Sequence, residues 1–336
     1  MDSVRAASDR FREAWAALQR TVGQIIVGQD SVVEETLIAL IGNGHVLLEG
    51  VPGLGKTLLV NTLSRSLALE SNRIQFTPDV MPADITGTTL VTEDESGGSR
   101  KFVFQPGPIF TQLLLADEIN RATPKTQAAL LEAMQERSVT VGGETHPLRQ
   151  PFLVMATQNP IEQEGTYRLP EAQLDRFFFK VMVPLGSRAE INEIVERTTR
   201  GAPPEIGAIL DSDAIVAAQH LARNVVITPA VQDYIVRLTL ASHPGSEHSD
   251  PSLDRFLAGG VSPRAAQALT TGARVVAMVD GRYAAGFDDV QRVAAPVMRH
   301  RLLRTFEADS EQMDGDAIVE HLLKHVPRID ERSTPG

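Results

Sequence analysis

The spacing of apolar residues divides the chain into two parts of different character. In the first part, runs with the 3.6-residue period of a helix alternate with short apolar runs typical of buried strands. The predicted elements are helices at 4–20 and 30–42, a strand at 45–49, a helix at 56–69, strands at 73–76 and 111–116, a helix at 123–137, a hairpin at 138–150 and a strand at 151–156. This order predicts an α/β fold in which a mostly parallel sheet carries helices on both faces.

Beyond Pro184 the strand pattern stops and Ala-rich helical periodicity continues. The predicted helices cover 188–200, 211–223, 229–242, 263–279 and 287–303. We therefore expect an α/β domain over 1–185, a smaller all-α domain over 186–326 with a hinge at Gly186-Ser187, and a frayed tail over 327–336.

One segment of the first part shows no regular pattern. Residues 78–105 contain Pro78, Pro82, Gly87 and the pair Gly97-Gly98, which indicates an irregular connection. A connection of this length without its own structure is uncommon inside a compact domain and is often functional. A surface elaboration without a moving role is the alternative.

The composition of the chain excludes several classes of function. The 336 residues suffice for one large or two modest domains. The chain carries 32 Lys and Arg against 43 Asp and Glu, a net charge of −11, so no global positive field attracts it to nucleic acid or anionic lipid. It has no cysteine, which excludes disulfides, thiolate catalysis and Cys-ligated metal centres and agrees with a reducing cytoplasm.

The sequence also lacks membrane and export signals. No apolar run approaches the roughly 18 residues that a membrane span needs. The first 20 residues mix charged and apolar side chains and do not show the order of a secretory signal. We expect a soluble, cytoplasmic protein.

The segment Gly50–Thr57 fits the phosphate-loop pattern G-x-x-x-x-G-K-[ST]. It follows an apolar strand and opens a helix, which is the context that the chemistry requires. The glycines let backbone N–H groups turn toward phosphate oxygens, Lys56 supplies a point charge, and Thr57 offers its hydroxyl to Mg²⁺. A chance glycine-rich turn is a weak alternative in this context.

Asp117 and Glu118 end the next long apolar strand, which predicts that they lie at the carboxyl edge of the sheet, where ligands of such sheets bind. Asp117 suits Mg²⁺, and Glu118 suits the orientation of an attacking water. A helix N-cap is the alternative interpretation. Asn159 ends the following strand and is a candidate polar sensor, or a plain turn residue. Arg176 and Arg264 are candidate cations, although isolated arginines usually belong to the solvated surface.

Several long motifs occur together in one order. They are Ile26-Val27-Gly28-Gln29, GVPGLGKT at 50–57, LLLADEINRATPKTQAALLEAMQER at 113–137, ATQNP at 156–160, EGTY at 164–167, LPEAQLDRF at 169–177 and SPRA at 262–265. This order strongly resembles the MoxR-type AAA+ ATPases of the helix-2-insert group, over most of the chain. The resemblance implies a P-loop nucleotide-binding domain followed by a helical lid, assembled as a ring, commonly a hexamer, with ATP between subunits.

The resemblance also implies residue roles. Lys56 and Thr57 match the phosphate-loop pair, Asp117 and Glu118 the Mg²⁺ and water carboxylates, and Asn159 the first sensor. Arg176 resembles the arginine finger that reaches the neighbouring subunit, and Arg264 the second sensor of the lid. Arg121 is a further candidate at the subunit interface. The expected nucleotide contacts are Val27, Gly28, Gln29, Gly50, Pro52, Gly53, Leu54, Gly55, Lys56, Thr57 and Leu58. The segments 78–105 and 138–150 match the family's insert and pre-sensor hairpin, loops that related rings aim at the pore.

One departure from the family pattern is Arg168, where many relatives have a proline. It removes none of the proposed ligands, so we expect a competent ATPase. MoxR relatives are associated with partners that carry a von Willebrand factor A domain and with enzyme maturation or cofactor and metal insertion.

Three functions follow from these observations. The favoured one is a Mg²⁺-dependent ATPase ring that remodels or activates a partner protein. The second is a nucleic-acid motor or transcription activator, which the charge and the 5% aromatic content disfavour. The third is a scaffold that binds nucleotide without hydrolysing it. No nucleic acid and no membrane is expected among the partners.

Overall fold

The computed structural model of the chain describes residues 2–51, 53–93, 100–159, 165–201 and 204–329. The strands are β1 (Val46–Glu49), β2 (Ser71–Gln75), β3 (Gly87–Glu93), β4 (Arg100–Pro106), β5 (Leu113–Asp117), β6 (Ser138–Val141), β7 (Glu144–Pro147), β8 (Leu153–Gln158), β9 (Phe179–Met182), β10 (Val226–Ile227), β11 (Leu257–Gly259), β12 (Ala284–Ala285) and β13 (Leu303–Arg304). The helices are α1 (Asp2–Gly23), α2 (Asp30–Ile41), α3 (Lys56–Ser66), α4 (Pro82–Thr86), α5 (Pro124–Glu136), α6 (Glu171–Leu174), α7 (Arg188–Thr199), α8 (Ser212–Arg223), α9 (Pro229–Ala241), α10 (Pro251–Asp254), α11 (Pro263–Val279), α12 (Phe287–Met298), α13 (Phe306–Ser310) and α14 (Gly315–His325), with a short 3₁₀ helix at Ile119–Arg121.

A parallel sheet forms the centre of the first part of the chain. Within the described residues, five strands pair in the order β2-β5-β8-β1-β9, and each neighbouring pair is parallel. The carboxyl ends of β2, β5, β8 and β1 therefore meet at one edge, where Gln75 pairs in register with Asp117. The predicted α/β fold class with a helical lid is confirmed.

Alternation along the strands builds a core on each face of the sheet. Val46 and Leu48 of β1 point into one buried cluster, whereas Leu47 points into the other, as the two-residue period of a strand requires. The first cluster continues without interruption into the helices after residue 186. Helix α1 contacts α2 and α3 as well as α8 and α11, and it buries Trp15. The sheet and the lid therefore share one apolar core.

The lid contains short strands and three helices, α10, α13 and α14, that periodicity did not indicate. Strands β10 and β12 pair in parallel, and β11 pairs with β13 in antiparallel orientation. The helix expected at 287–303 ends at Met298, and α14 was not predicted. In the tail that is expected to fray from residue 327, the Arg237 guanidinium donates to the carbonyls of Pro327 (2.6 Å) and Arg328 (3.1 Å). Residues 330–336 lie outside the described residues. Every helix in the described part is too short or too polar to span a bilayer.

The prediction of an irregular segment at 78–105 is wrong for most of its length. Helix α4 is followed by the antiparallel hairpin β3–β4, although residues 94–99 lie outside the description. The strands pair β-branched and aromatic residues, such as Val91 with Phe102, which favours a ribbon. Phe104 of the hairpin stacks on His146 of β7, with ring centroids 3.9 Å apart. Of the glycines and prolines that suggested a loop, Pro82 opens α4 and Gly87 starts β3, where it packs directly against the Gln105 carbonyl, whereas Gly97 and Gly98 lie outside the described residues.

His45 fixes the start of the central strand β1. Its Nε2 lies 3.0 Å from the Met134 carbonyl at the end of α5, and its Nδ1 accepts from the Val154 N–H at 3.0 Å. This pattern is satisfied only by the neutral ring that carries its proton on Nε2. Burial lowers the pKa of His45 from 6.5 to about 4, because the charged ring loses its hydration.

His45 is therefore expected to make the fold acid-sensitive. The folded state binds a proton at His45 more weakly than the unfolded state does. The contribution of neutral His45 to the free energy of unfolding is therefore complete above pH 6.5 and is lost as the pH falls toward 4. Between pH 7.5 and 5.0 the loss from this residue should be about 2 kcal/mol. Urea unfolding of wild type and His45→Gln at both pH values measures it. Burial also lowers the pKa of His300, so only the difference between the two proteins isolates His45, and equal pH slopes would contradict its role.

Candidate functional site: a phosphate cavity and its neighbours

The loop between β1 and α3 has the geometry of a phosphate cradle. Gly53 (φ +85°) and Gly55 (φ +78°) both adopt the left-handed backbone that glycine tolerates without strain. Gly55 precedes α3 and makes no side-chain cap, so the N-terminus of that helix presents its backbone N–H groups to a ligand. Lys56 donates to the Gly50 carbonyl at 2.7 Å. Pro52, which sequence reasoning placed among the nucleotide contacts, lies outside the described residues.

Asp117 is the last residue of β5 and Glu118 follows it, and Thr157 near the end of β8 holds both. The Thr157 hydroxyl donates to Asp117 Oδ1 at 2.6 Å and accepts from the Glu118 backbone N–H at 2.8 Å. Glu118 itself has φ +58°, a left-handed conformation that costs a non-glycine residue about 1 to 3 kcal/mol. The bond from Thr157 therefore helps to hold Glu118 in a strained turn at the sheet edge.

Two further side chains position the Glu118 carboxylate. Gln75 donates to its Oε2 at 2.8 Å, and Arg121 donates to the same oxygen at 2.9 Å. Arg73 pairs with Asp117 Oδ2 at 2.7 Å. Arg121, which the sequence suggested for an interface, thus contacts the carboxylate of its own chain.

These residues surround one cavity of about 430 Å³. Its lining consists of Gly53, Gly55, Lys56, Thr57, Arg73, Gln75, Asp117, Glu118, Thr157 and Asn159. The structure therefore brings the predicted phosphate loop, carboxylate pair and sensor asparagine together. Sequence reasoning missed Arg73, Gln75 and Thr157. All three residues lie in strands whose carboxyl ends reach this edge of the sheet, Arg73 and Gln75 in β2 and Thr157 in β8. That position could point to the site only once the strand order was known.

Opposing electrostatic effects act on Lys56. Burial lowers the pKa of its ammonium group, while the nearby carboxylates of Asp117, Glu118 and Glu49 oppose that change. Since phosphate oxygens would add negative charge beside Lys56, ligand binding favours the charged form that the phosphate chemistry needs.

A second cavity of about 320 Å³ joins the first at Gly53 and Gly55. Its wall is largely apolar and includes five further predicted nucleotide contacts, Val27, Gly28, Gln29, Leu54 and Leu58, together with Ile191 and Ile194 of α7. Gly50 lines neither cavity. Gln29 donates to the Leu54 carbonyl at 2.9 Å and so fixes the phosphate loop against this wall. An apolar slot beside a phosphate cradle suits the flat base of a nucleotide.

Gly28 allows α7 to approach this second cavity. Its φ is +69°, and a Cβ atom at this position would lie 2.4 Å from Cδ of Glu190. Glu190 accepts from the Ser187 N–H at 2.6 Å in the capping box that starts α7.

The Gly28→Ala substitution is expected to weaken ATP binding about tenfold, or about 1.4 kcal/mol, because the added Cβ strains the backbone beside the slot and pushes the Glu190 side chain out of the capping box that starts α7. Calorimetric titration with ATP measures the change. Gly245→Ala is the matched control, since Gly245 has the same φ of +69° but no neighbour within 4 Å of its added Cβ. Equal losses of affinity in the two variants would contradict a specific role for Gly28.

Arg176 and Arg264 lie together in a third cavity, of about 330 Å³, which shares no lining residue with the phosphate cavity. Arg176 donates to the Leu131 carbonyl at 3.1 Å, and its Nε is buried without a hydrogen-bond partner among the described residues. Arg264 lies 3.7 Å from Asp175, which also pairs with the buried Arg301 at 2.8 Å. The structure therefore does not bring the two arginines to the phosphate cavity of their own chain.

Comparison with known proteins follows the same division of the chain. A model of the ATPase family associated with various cellular activities (AAA) matches residues 45–179, and an AAA lid-domain model matches residues 254–322. The chain is 44% identical over 305 residues to Chaperone MoxR1 of Mycobacterium tuberculosis, covering 91% of this chain and 80% of that protein. It is 33% identical over 333 residues to Protein MoxR of Methylorubrum extorquens, covering 94% of each. The chain belongs to the MoxR family of AAA+ ATPases.

A solved structure extends the comparison to three dimensions. A candidate ATPase from Cytophaga hutchinsonii superimposes with a TM-score of 0.91 at 36% identity, covering 98% of this chain and 99% of that one. Membership of the family makes this protein an ATPase, so the prediction of that activity is confirmed.

Magnesium fits the oxygen groups in the phosphate cavity. Mg²⁺ is usually held by one or two protein oxygens together with the substrate phosphates and water. Thr57 and Asp117 supply a hydroxyl and a carboxylate on the same cavity wall. Among the described residues, no group of three or more His, Asp or Glu side chains could hold a metal without such help.

Proposed function

We propose that this ATPase works as a ring, commonly a hexamer, that hydrolyses Mg²⁺-bound ATP between neighbouring subunits and uses the energy to remodel or activate a partner protein. The observation that carries the proposal is the separation of two half-sites. The phosphate loop and the carboxylates line one cavity, whereas Arg176 and Arg264 line another. A complete set of phosphate-transfer groups then requires two chains.

In the proposed site, each group has one task. Lys56 and the N-terminus of α3 bind the phosphates, and Thr57 and Asp117 hold Mg²⁺. The metal supplies charge neutralisation at the phosphate oxygens. Glu118 orients the attacking water and accepts its proton, and Asn159 contacts the water or the γ-phosphate. Gln75 and Arg121 keep the Glu118 carboxylate aimed into the cavity.

Two properties of Arg176 support its role as a finger for the neighbouring subunit. Among the described residues, its guanidinium makes one hydrogen bond, to the Leu131 carbonyl at 3.1 Å, and its buried Nε makes none. A buried N–H group without a hydrogen-bond partner costs folding free energy unless a ligand or a neighbouring chain accepts from it. Arg264 on the same cavity would then act beside Arg176 on the same phosphate.

The family and the net charge of the chain both favour a protein as the partner. A family relative is named a chaperone, which supports a protein as the object of remodelling. A protein with a von Willebrand factor A domain or a client metalloenzyme fits the resemblance described above. The net charge of −11 disfavours the alternative of a nucleic-acid motor.

Nucleotide-dependent capture from the native cell extract tests this function. Tagged Glu118→Gln protein with ATP and Mg²⁺ should hold its partner, because it binds ATP without turning it over. The Lys56→Ala protein, which is unable to hold the phosphates, should not. A protein captured only by Glu118→Gln supports remodelling and identifies the client. Nucleic acid captured in the same way, with salt-sensitive stimulation of turnover, would overturn it.

A further inference from the structure

The helix α5 carries a buried amide that the proposed chemistry does not use. Gln127 has no exposed surface, and its side-chain NH₂ group donates to the carbonyls of Ile119 (3.2 Å), Ala122 (3.2 Å) and Tyr167 (3.1 Å). Since three carbonyl oxygens surround the nitrogen, the orientation of the amide is fixed by its partners. Gln127 therefore joins two backbone positions of the loop before α5 to Tyr167, which lies 40 residues further along the chain.

Two of these positions belong to the loop that carries Glu118. Ile119 follows Glu118 directly, and Ala122 ends the 3₁₀ turn after it. The third, Tyr167, is bound to the same loop a second time, because its N–H donates to the Asn120 carbonyl at 2.6 Å. The backbone at Tyr167 thus follows any movement of the loop that bears Glu118.

The other end of this contact network reaches Arg176. Leu131 lies one turn beyond Gln127 on the same face of α5, and its carbonyl accepts from the Arg176 guanidinium at 3.1 Å. From Tyr167 the chain runs through the buried Leu169 and through α6 to Arg176. Two connections therefore join Glu118 to Arg176: helix α5 and the segment after Tyr167. Gln127 belongs to the first and donates to the Tyr167 carbonyl at the start of the second.

Gln127 is not explained by packing alone. Its Oε1 is buried with no hydrogen-bond partner among the described residues, which is unfavourable. An apolar side chain of similar volume would fill the same space without that oxygen. The amide is needed only for its contacts to the three carbonyls.

We propose that Gln127 is a positioning residue that couples the catalytic loop of one subunit to the arginine that the same subunit presents to its neighbour. This inference rests on the proposed function, because it takes Arg176 to act on the adjacent ATP. When Glu118 and its loop shift with the state of the bound nucleotide, Gln127 transmits the shift to the Leu131 carbonyl and to α6, and Arg176 moves accordingly.

Mixed rings test the coupling across the interface. Wild-type full-length protein is mixed with an excess of Glu118→Gln subunits or of Glu118→Gln/Gln127→Met subunits, and phosphate release is measured per wild-type subunit. The excess subunits do not hydrolyse ATP, so any difference must reach the wild-type sites from their neighbours. The double variant should lower turnover per wild-type site about threefold or more, the range of coupling through a contact network.

The control is the double variant Glu118→Gln/Thr126→Val. Thr126 is buried beside Gln127 and donates to the Val80 carbonyl at 2.8 Å, on the side of α5 that faces α4 rather than the catalytic loop. Its mixture should match that of Glu118→Gln alone. If the Gln127 mixture also matches, the coupling is refuted. If a Glu118→Gln/Arg176→Ala mixture still supports wild-type turnover, the proposed arginine finger fails instead, so the two failures are distinguishable.

Hydrogen exchange gives a second measurement that does not need mixed assemblies. In the Glu118→Gln background, ATP should protect the amides of residues 165–169, and Gln127→Met should abolish that protection while ATP affinity stays unchanged. Retained ATP-dependent protection in the Gln127→Met protein would overturn the proposal, even if the variant assembled poorly.

Discussion

Arg176→Ala protein is expected to hydrolyse ATP about 10³- to 10⁵-fold more slowly than wild type, while it binds ATP with similar affinity. The reason is that a guanidinium neutralises charge that develops on the transferring phosphate, which matters in the transition state more than in the bound ground state. Phosphate release at saturating ATP and titration with a fluorescent ATP analogue measure the two quantities. Arg168→Ala, which removes an exposed arginine from the same stretch of chain, is the matched control and should leave both unchanged.

Mixing two inactive variants separates a finger in the neighbouring chain from one in the same chain. Glu118→Gln subunits keep Arg176, and Arg176→Ala subunits keep Glu118. If Arg176 acts across the interface, the mixture restores turnover at sites where an intact Glu118 faces an intact Arg176. A mixture as inactive as its components would show that Arg176 and Glu118 work within one chain, against the separation of their cavities.

Glu118→Gln is expected to lower kcat about 10²- to 10⁴-fold and to leave ATP binding intact. The amide has the size of the carboxylate, but it does not accept a proton from the attacking water. Single-turnover phosphate release gives the rate, and equilibrium titration gives the affinity. Glu136→Gln, an exposed glutamate at the end of α5, controls for the loss of one negative charge.

Lys56→Ala should lose ATP binding, whereas Glu118→Gln should lose only turnover. Lys56 supplies its charge to the bound phosphates in the ground state, so its loss should remove ATP binding itself. Turnover close to wild type in either variant would contradict the assignment of the phosphate cavity. A Glu118→Gln protein that also failed to bind ATP would point to a structural role for the Gln75 and Arg121 contacts instead.

The half-site arrangement has a consequence for how activity depends on concentration. Since each chain holds the phosphate loop in one cavity and Arg176 in another, dilution below the assembly threshold should reduce turnover more than it reduces nucleotide binding. Phosphate release and ATP titration over a dilution series of the protein measure the two quantities.

The prediction for the insert failed for an identifiable reason. Periodicity arguments weigh glycine and proline as interruptions, and Pro82, Gly87 and Pro106 fall close to the apolar alternation of 88–92 and 101–105. In the folded chain Pro82 opens α4, and Gly87 and Pro106 pair at the end of the hairpin β3–β4. Cross-strand pairs then stabilise two strands that are each too short to be stable alone. The lid strands of two or three residues were missed because a run so short carries no period.

What the sequence by itself determined was local chemistry. The phosphate loop, the acidic pair Asp117-Glu118 and Asn159 are each specified by a few consecutive residues at the end of a predicted strand. The apolar pattern of those strands was therefore enough to predict that these groups lie at the carboxyl edge of the sheet. Strand order then decided which other side chains meet them. Arg73, Gln75 and Thr157 became site residues only because β2 and β8 flank β5.

The tertiary structure alone decided the longer relationships. Nothing in the spacing of Arg176 and Arg264 indicates that they share a cavity apart from the phosphates, or that Gln127 reaches the loop after Glu118. Such contacts depend on how helices pack over the sheet, and packing is set by the summed burial of many side chains rather than by any short motif. The sequence indicated which groups suit phosphate chemistry, and packing decided which of those groups line the same cavity.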